Sequence, residues 1–229
     1  MLYSRISGEP LLVPESFDGC PERTVCITGH RENGIIPYHG DIAAASAGVR
    51  VFLYHCIRMA VQAGYDSFFS GLAEGTDLWA AEIVLKMRMN GADVRLLGAM
   101  PYLRHADRFS ERSRRLLGIV EKNADKLILI NSDPDMYYSR TPGLHSSSTL
   151  YRDRNYFMVD NSSAVIAFLN RDGRHSGTEQ TVNYASRMGR KIVRFSMQDV
   201  HRALDRAGGD PRRIVMETEM PENPFEYPF

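Results

Sequence analysis

Six short apolar runs, each set off from the next by a polar loop and an amphipathic segment, narrow the folds open to this chain more than any other feature. The runs lie at 24–27, 67–69, 94–99, 127–130, 165–169 and 191–195. Most are continuously apolar rather than alternating, which predicts strands buried on both faces of a sheet. The spacing predicts helices over 41–63, 77–90, 106–122, 151–161, 178–188 and 199–206. In the first of these, Val49, Leu53, Cys56, Ile57, Ala60 and Val61 form one apolar stripe. Asp41 stands where an N-cap belongs and Gly64 where the helix should stop. Strands and helices in this alternation imply an α/β, Rossmann-like three-layer fold with a mostly parallel sheet of about six strands. In such sheets the ligand crevice lies beyond the carboxyl ends of the strands.

The alternation holds from 22 to 207 without an internal repeat or a dividing linker. It predicts one domain over 22–207, an N-terminal arm over 1–21 and a C-terminal tail over 208–229. The tail is rich in Pro, Glu and Arg, as expected of a segment that crosses the surface or is partly disordered. Residues 131–150 make a long loop, either a functional lid or a mobile segment.

Charge and composition remove several function classes. The 28 basic and 28 acidic side chains cancel. A sequence-blind nucleic-acid binder needs a basic surface, so this balance argues against one. Cys20, Cys26 and Cys56 have no metal-ligand spacing, and Cys26 and Cys56 fall at core positions. The seven histidines (His30, His39, His55, His105, His145, His175 and His201) are scattered, so no metal is expected. No apolar run is long enough to span a bilayer, and Leu11, Leu12 and Val13 are too few for a signal-peptide core. The expected location is therefore cytoplasmic.

Three loops follow predicted strands and carry residues suited to an anion. The first is Thr28-Gly29-His30-Arg31, where Gly29 permits close backbone approach and Arg31 offers a positive fork. The second runs from Ser70 through Gly71, Leu72, Ala73, Glu74, Gly75 and Thr76 to Asp77. Its N–H groups and the helix dipole behind it can face a phosphate, or Asp77 can act only as a helix cap. The third runs from Asn170 through Gly173, Ser176 and Gly177 to Thr178. Each is also compatible with a plain turn, but turns of no function would fall at both ends of the sheet. A fourth element, 152–160, carries Arg152, Arg154 and Asn155. Arg154 suits a phosphate or ribose clamp, or else a salt bridge to Asp153, Asp160 or Glu179.

In this order the pieces resemble the SLOG superfamily of Rossmann-like proteins, which includes the LOG-type phosphoribohydrolases and the DprA recombination mediators. The likeness is greatest to its YpsA/YoqJ-like bacterial branch. It rests on Thr28-Gly29-His30-Arg31, on Phe69 through Asp77 with Ala80-Ala81-Glu82, on Arg154-Asn155 with Met158-Val159-Asp160, and on Gly177-Thr178. The resemblance implies a nucleotide-related ligand over the strand ends. Arg154, Met158 and Gly177-Thr178 match the LOG pattern, but the catalytic Glu of that pattern is Thr181 here. Glu179, two residues earlier, is rotated roughly 200° away on a helix and cannot simply replace it. Glu74 or Asp77 remains as a source of a carboxylate. The Ser-Gly-Leu-Ala-x-Gly-x-Asp pattern of DprA-like proteins matches residues 70–77.

The function expected from all this is the binding or sensing of a nucleotide-derived ligand of the ADP-ribose, NAD or nucleoside monophosphate type. Ligand-binding residues would be Thr28, Gly29, His30, Arg31, Ser70, Gly71, Glu74, Gly75, Asp77, Arg154, Asn155, Gly177 and Thr178. Two alternatives stand beside it, a LOG-like nucleotide N-glycosidase and a DprA-like protein associated with single-stranded DNA. The nucleotide is the one small-molecule partner called for, with no other cofactor, no membrane partner, and a homo-oligomer among the open arrangements.

Overall fold

Successive strand residues enter opposite faces of the central sheet, and both faces are buried. The computed structural model describes residues 2–170 and 176–226. Its central sheet is built from β1 (Thr24–Gly29), β2 (Ser67–Ser70), β3 (Arg95–Met100), β4 (Lys126–Leu129), β5 (Ala164–Phe168) and β6 (Lys191–Phe195). Val25 and Ile27 of β1, with Ala164, Ile166 and Phe168 of β5, enter one apolar cluster. Cys26, Val165 and Ala167 enter the other. Both Cys26 and Cys56 are buried core residues, and burial pushes the Cys56 thiol up to about 12.

The helices are α1 (Ile42–Gln62), α2 (Thr76–Met89), α3 (Glu111–Asn123), α4 (Leu150–Asp160), α5 (Gly177–Arg187) and α6 (Met197–Arg206). Apolar side chains of α1, α2, α3 and α6 cover the first face, among them Phe52, Leu78, Leu117 and Val200. Only α4 and α5 cover the second, through Met158, Val159, Val182 and Ala185. The N-terminal arm supplements that thinner layer. Phe17 packs its ring 5.5 Å from that of Phe69 and 5.7 Å from that of Phe157. The arm also closes a sheet edge, since Leu12 exchanges backbone hydrogen bonds of 2.8 Å with Leu127 and Leu129. An exposed parallel edge would otherwise present unpaired N–H and C=O groups.

All six strands are parallel, in the order β6-β5-β1-β2-β3-β4. From β1 the chain builds outward to β4, then returns to lay β5 on the other side of β1. The direction of winding therefore reverses between β1 and β5. Beyond the carboxyl ends of those two strands the following loops diverge, which opens a crevice. This is the Rossmann-like α/β fold that the sequence predicts.

One expectation is corrected. The helix predicted over 106–122 begins only at Glu111, because the Ser110 hydroxyl accepts the Ser113 N–H at 3.2 Å and caps it there. Residues 101–109 form turns instead, and bury Tyr102, His105 and Phe109. The described tail is packed rather than loose. Met216 and Phe225 join the larger core cluster, Asn223 donates to the Met59 carbonyl at 3.0 Å, and Arg206 pairs with Glu219 at 2.8 Å. No helix among the described residues is long and apolar enough to cross a membrane.

Candidate functional site

Three segments remote in sequence meet at the β1/β5 divide because one histidine and one asparagine stitch them. Asn170, just after β5, donates its backbone N–H to His30 Nε2 at 2.9 Å. Its side-chain amide donates to the Gly34 carbonyl at 3.0 Å and accepts from the Met197 N–H at 2.9 Å. Since Nε2 accepts, His30 carries its proton on Nδ1 when neutral, and burial holds its pKa below the usual imidazole value. Between the joined loops lies a cavity of about 420 Å³. Its lining includes Thr28, Gly29, His30, Arg31, Asp77, Arg154, Asn155, Gly177 and Thr178. Nine of the thirteen residues singled out from the sequence thus share one crevice.

Ser70, Gly71, Glu74 and Gly75 do not line it. The Ser70 hydroxyl donates to the Asp77 carbonyl at 2.8 Å and accepts from the Leu72 N–H at 3.1 Å, so it is spent on its own loop. Gly71 turns its carbonyl to Arg154, which donates to it from Nη1. Glu74 accepts the Ser110 N–H at 2.9 Å. Gly75, with a left-handed φ of 85°, backs onto the first loop, and a Cβ there would come within 2.8 Å of the Glu32 nitrogen. The start of α2 is occupied as well: the N–H and hydroxyl of Thr76 both donate to the His30 carbonyl, at 3.3 and 2.7 Å. The positive end of this helix anchors the first loop, so the dipole expected to face a phosphate is already used. The glycine-rich second loop ties the first loop and Arg154 together, and Ala73 and Asp77 are its residues that reach the crevice.

Asp77 is neither an N-cap nor a free carboxylate. It sits one residue into α2, buried, with Oδ2 3.5 Å from Arg154 Nη1. This pairing replaces the salt bridges to Asp153, Asp160 or Glu179 weighed from the sequence; Asp153 pairs with Arg152 instead, at 3.0 Å. Burial raises the Asp77 pKa against the pull of Arg154, and burial lowers that of Arg154 against the pull of Asp77. Each charge is thus only partly compensated. Among the described residues the hydrogen bonds of Arg154 both leave from Nη1, and its buried Nε has no partner. Arg31 is exposed, pairs with no carboxylate among the described residues, and lies with its guanidinium 5.5 Å from the Tyr151 ring centroid. Among the described residues Asp77 is the one acidic side chain in the lining, against Arg31, Arg152 and Arg154. The crevice is therefore electropositive.

The third loop contributes the start of α5. The Ser176 hydroxyl caps α5 by accepting the Glu179 N–H at 3.0 Å. Among the described residues the N–H groups of Gly177 and Thr178 meet no acceptor, and nothing lies within 4 Å of where a Cβ on Gly177 would project. Gly173, also in this loop, lies outside the described residues. Below the loop, Asn155 donates to the Thr181 hydroxyl at 2.8 Å, and that hydroxyl donates to the Gly177 carbonyl at 2.7 Å. This chain of bonds sets α5 against α4.

Several residues at the site escaped the sequence reading because nothing in their spacing marks them. Tyr138 and Ser148 reach the crevice from the loop 131–149, in which Tyr137–Tyr138 pairs with Ser146–Ser147 as two short parallel strands. Tyr151 comes from the first turn of α4. Tyr102 and His105 come from the turns between β3 and α3. His105 is buried, and desolvation, aided by the Arg154 charge, pushes its pKa down to about 4. In the same loop Asp133, Asp135 and His145 bring ligand-type atoms within 4.8 Å of one another, with His145 Nδ1 2.9 Å from Asp133. A shallower depression of about 710 Å³ beside α5 is lined by Tyr156, Glu179 and Arg187 among others, with no buried charge.

The family model described as the YspA SLOG family matches residues 25–200, from β1 into α6. The chain belongs to the YspA SLOG family. The matched span holds every residue of the crevice lining. Among curated relatives of this SLOG chain are UPF0398 proteins. That of Staphylococcus saprophyticus is 22% identical over 63% of this chain and 71% of its own. That of Macrococcus caseolyticus is 22% identical over 66% and 79%. That of Bacillus cereus is 21% identical over 63% and 73%. A solved structure, the DNA processing protein A of Streptococcus pneumoniae, aligns with a TM-score of 0.47 at 16% identity, over 86% of this chain and 62% of that one.

Proposed function

We propose that the crevice at the β1/β5 divide binds a nucleotide-derived ligand through its phosphate. The observation that carries this reading is the convergence of Arg31, Arg154 and the start of α5 at Gly177 and Thr178 on one cavity that is electropositive among the described residues. Arginine forks and a helix start are the two devices that most often neutralise a phosphate in a partly dry site. The ligand class is the one expected of the sequence: ADP-ribose, NAD or a nucleoside monophosphate. Binding rather than turnover is the reading we favour. Thr181 stands where LOG-type enzymes hold their catalytic Glu, and its hydroxyl is committed on both sides. The carboxylate that does reach the cavity, Asp77, is engaged by Arg154.

The test is a thermal-shift screen of nucleotides, followed by calorimetry and by mass analysis of each hit. Arg31→Ala should weaken binding by about 1.5–3 kcal/mol, the scale of a hydrogen bond to a charged group, and leave the melting temperature unchanged. A ligand recovered intact supports binding or sensing. Release of a free base would move the assignment to an N-glycosidase, with Asp77 the carboxylate to mutate next.

A further inference from the structure

A second cavity, of about 540 Å³, adjoins the first, and its walls are of a different chemistry. Arg31, Tyr138 and Tyr151 line both, so the two are compartments of one cleft. Tyr102, Tyr137 and Phe109 belong to the second compartment alone. Its rings are held in place by one another. The Tyr102 and Tyr151 hydroxyls are 3.2 Å apart in a hydrogen bond, and the Tyr138 ring centroid lies 5.2 Å from that of Tyr151. Tyr137 and Tyr138 are nonetheless 50% and 40% exposed, far more than core packing would leave them. Its charged side chains largely cancel, with Arg104 held by Asp107 at 2.9 Å.

We infer that this tyrosine-walled compartment receives the flat base of the ligand whose phosphate enters the first, so that the cleft takes a nucleotide with its base stacked on tyrosine. The inference rests on the reading of the first compartment as a phosphate site. Two features of the geometry support it. The shared residues stand at the junction, where the sugar between phosphate and base would lie. Amphipathic rings with partly exposed faces suit a nucleobase, which offers a π-face whatever its identity and keeps polar edges toward water. The loop 131–149 thereby gains a role, since it carries two of the rings.

Calorimetry on the intact chain with the four common nucleoside 5′-monophosphates, ribose 5-phosphate and pyrophosphate tests this. At least one nucleotide should bind roughly ten-fold or more tightly than ribose 5-phosphate, the scale of one stacked base. Tyr137→Ala and Tyr102→Leu should each narrow that gap while leaving ribose 5-phosphate binding unchanged, and Tyr137→Phe should restore it. Circular dichroism melts confirm that each variant is folded. Ribose 5-phosphate binding as tightly as every nucleotide, pyrophosphate binding more tightly than all of them, or a gap that neither substitution narrows would overturn the base compartment and leave the phosphate crevice standing. If none of the phosphate compounds binds, the crevice reading fails and this inference falls with it.

Discussion

Arg154 and Asp77 face each other across the sheet ends at 3.5 Å, both buried, and neither has a better counter-charge among the described residues. Removing one partner leaves the other as an uncompensated buried charge. Asp77→Ala should therefore destabilise the fold by about 3–5 kcal/mol in urea unfolding. The double variant Asp77→Ala/Arg154→Met should recover a large part of that loss. Strict additivity of the two single changes would mean that the pair is not coupled.

Gly71 and Gly177 separate folding from ligand approach. A Cβ on Gly71 would run into the Arg154 guanidinium, whereas one on Gly177 meets nothing within 4 Å. Gly71→Ala is expected to lower both stability and nucleotide affinity, because Arg154 must move. Gly177→Ala should leave stability unchanged or raise it by up to about 1 kcal/mol, as alanine does in place of glycine in a helix. Its methyl would still obstruct a phosphate at the start of α5, so affinity should fall. Equal affinity in Gly177→Ala and the parent chain would remove the α5 start from the site.

The His145–Asp133 pair gives the loop 131–149 a pH dependence. Its hydrogen bond raises the His145 pKa above the usual imidazole value and lowers that of Asp133 below the usual carboxylate value. The histidine contribution is fully present below the ordinary imidazole pKa and fades as pH rises through the raised one. The aspartate contribution is present above the ordinary carboxylate pKa and fades as pH falls through the lowered one. Amide exchange in 133–147, corrected for the intrinsic rate, should thus be faster at about pH 9 than at about pH 6, which brackets the imidazole range. His145→Ala should abolish the difference. A pH effect that survives in this variant would have another source.

Phe225 is 5% exposed and packs its ring 5.5 Å from that of Tyr65. Phe225→Ala should cost about 3–5 kcal/mol, as the loss of a buried aromatic ring does. Removal of residues 210–229 should lower the melting temperature further, since Met216 is lost with it. Unchanged melting of both variants would show that the tail's packing adds nothing to stability.

The sequence by itself determined the layer architecture and which segments gather around the crevice. Six continuously apolar runs, with amphipathic spacing between them, leave a parallel sheet covered on both faces as the arrangement that buries them all. Local signals at Asp41 and Gly64 placed the limits of α1 to within a residue or two. Apolar spacing that runs through Phe109 extends the predicted α3 back to 106, whereas the hydroxyl of Ser110 starts the helix at Glu111. Seven of the nine crevice residues were legible because they lie at or after strand ends, and a parallel sheet puts all such loops at one end; Arg154 and Asn155 were legible from the helix ahead of β5. Only the tertiary structure decided what each loop does there. Whether the start of a helix faces ligand or protein depends on what docks against it, and Thr76 is covered by the His30 carbonyl while Gly177, among the described residues, is not. The partner of Arg154 was hidden for the same reason: Asp77 becomes its neighbour only when β5 returns to lie beside β1. The tyrosines had no sequence signal at all, because they come from three separate loops and helix starts and share a wall only after the sheet has brought those segments together.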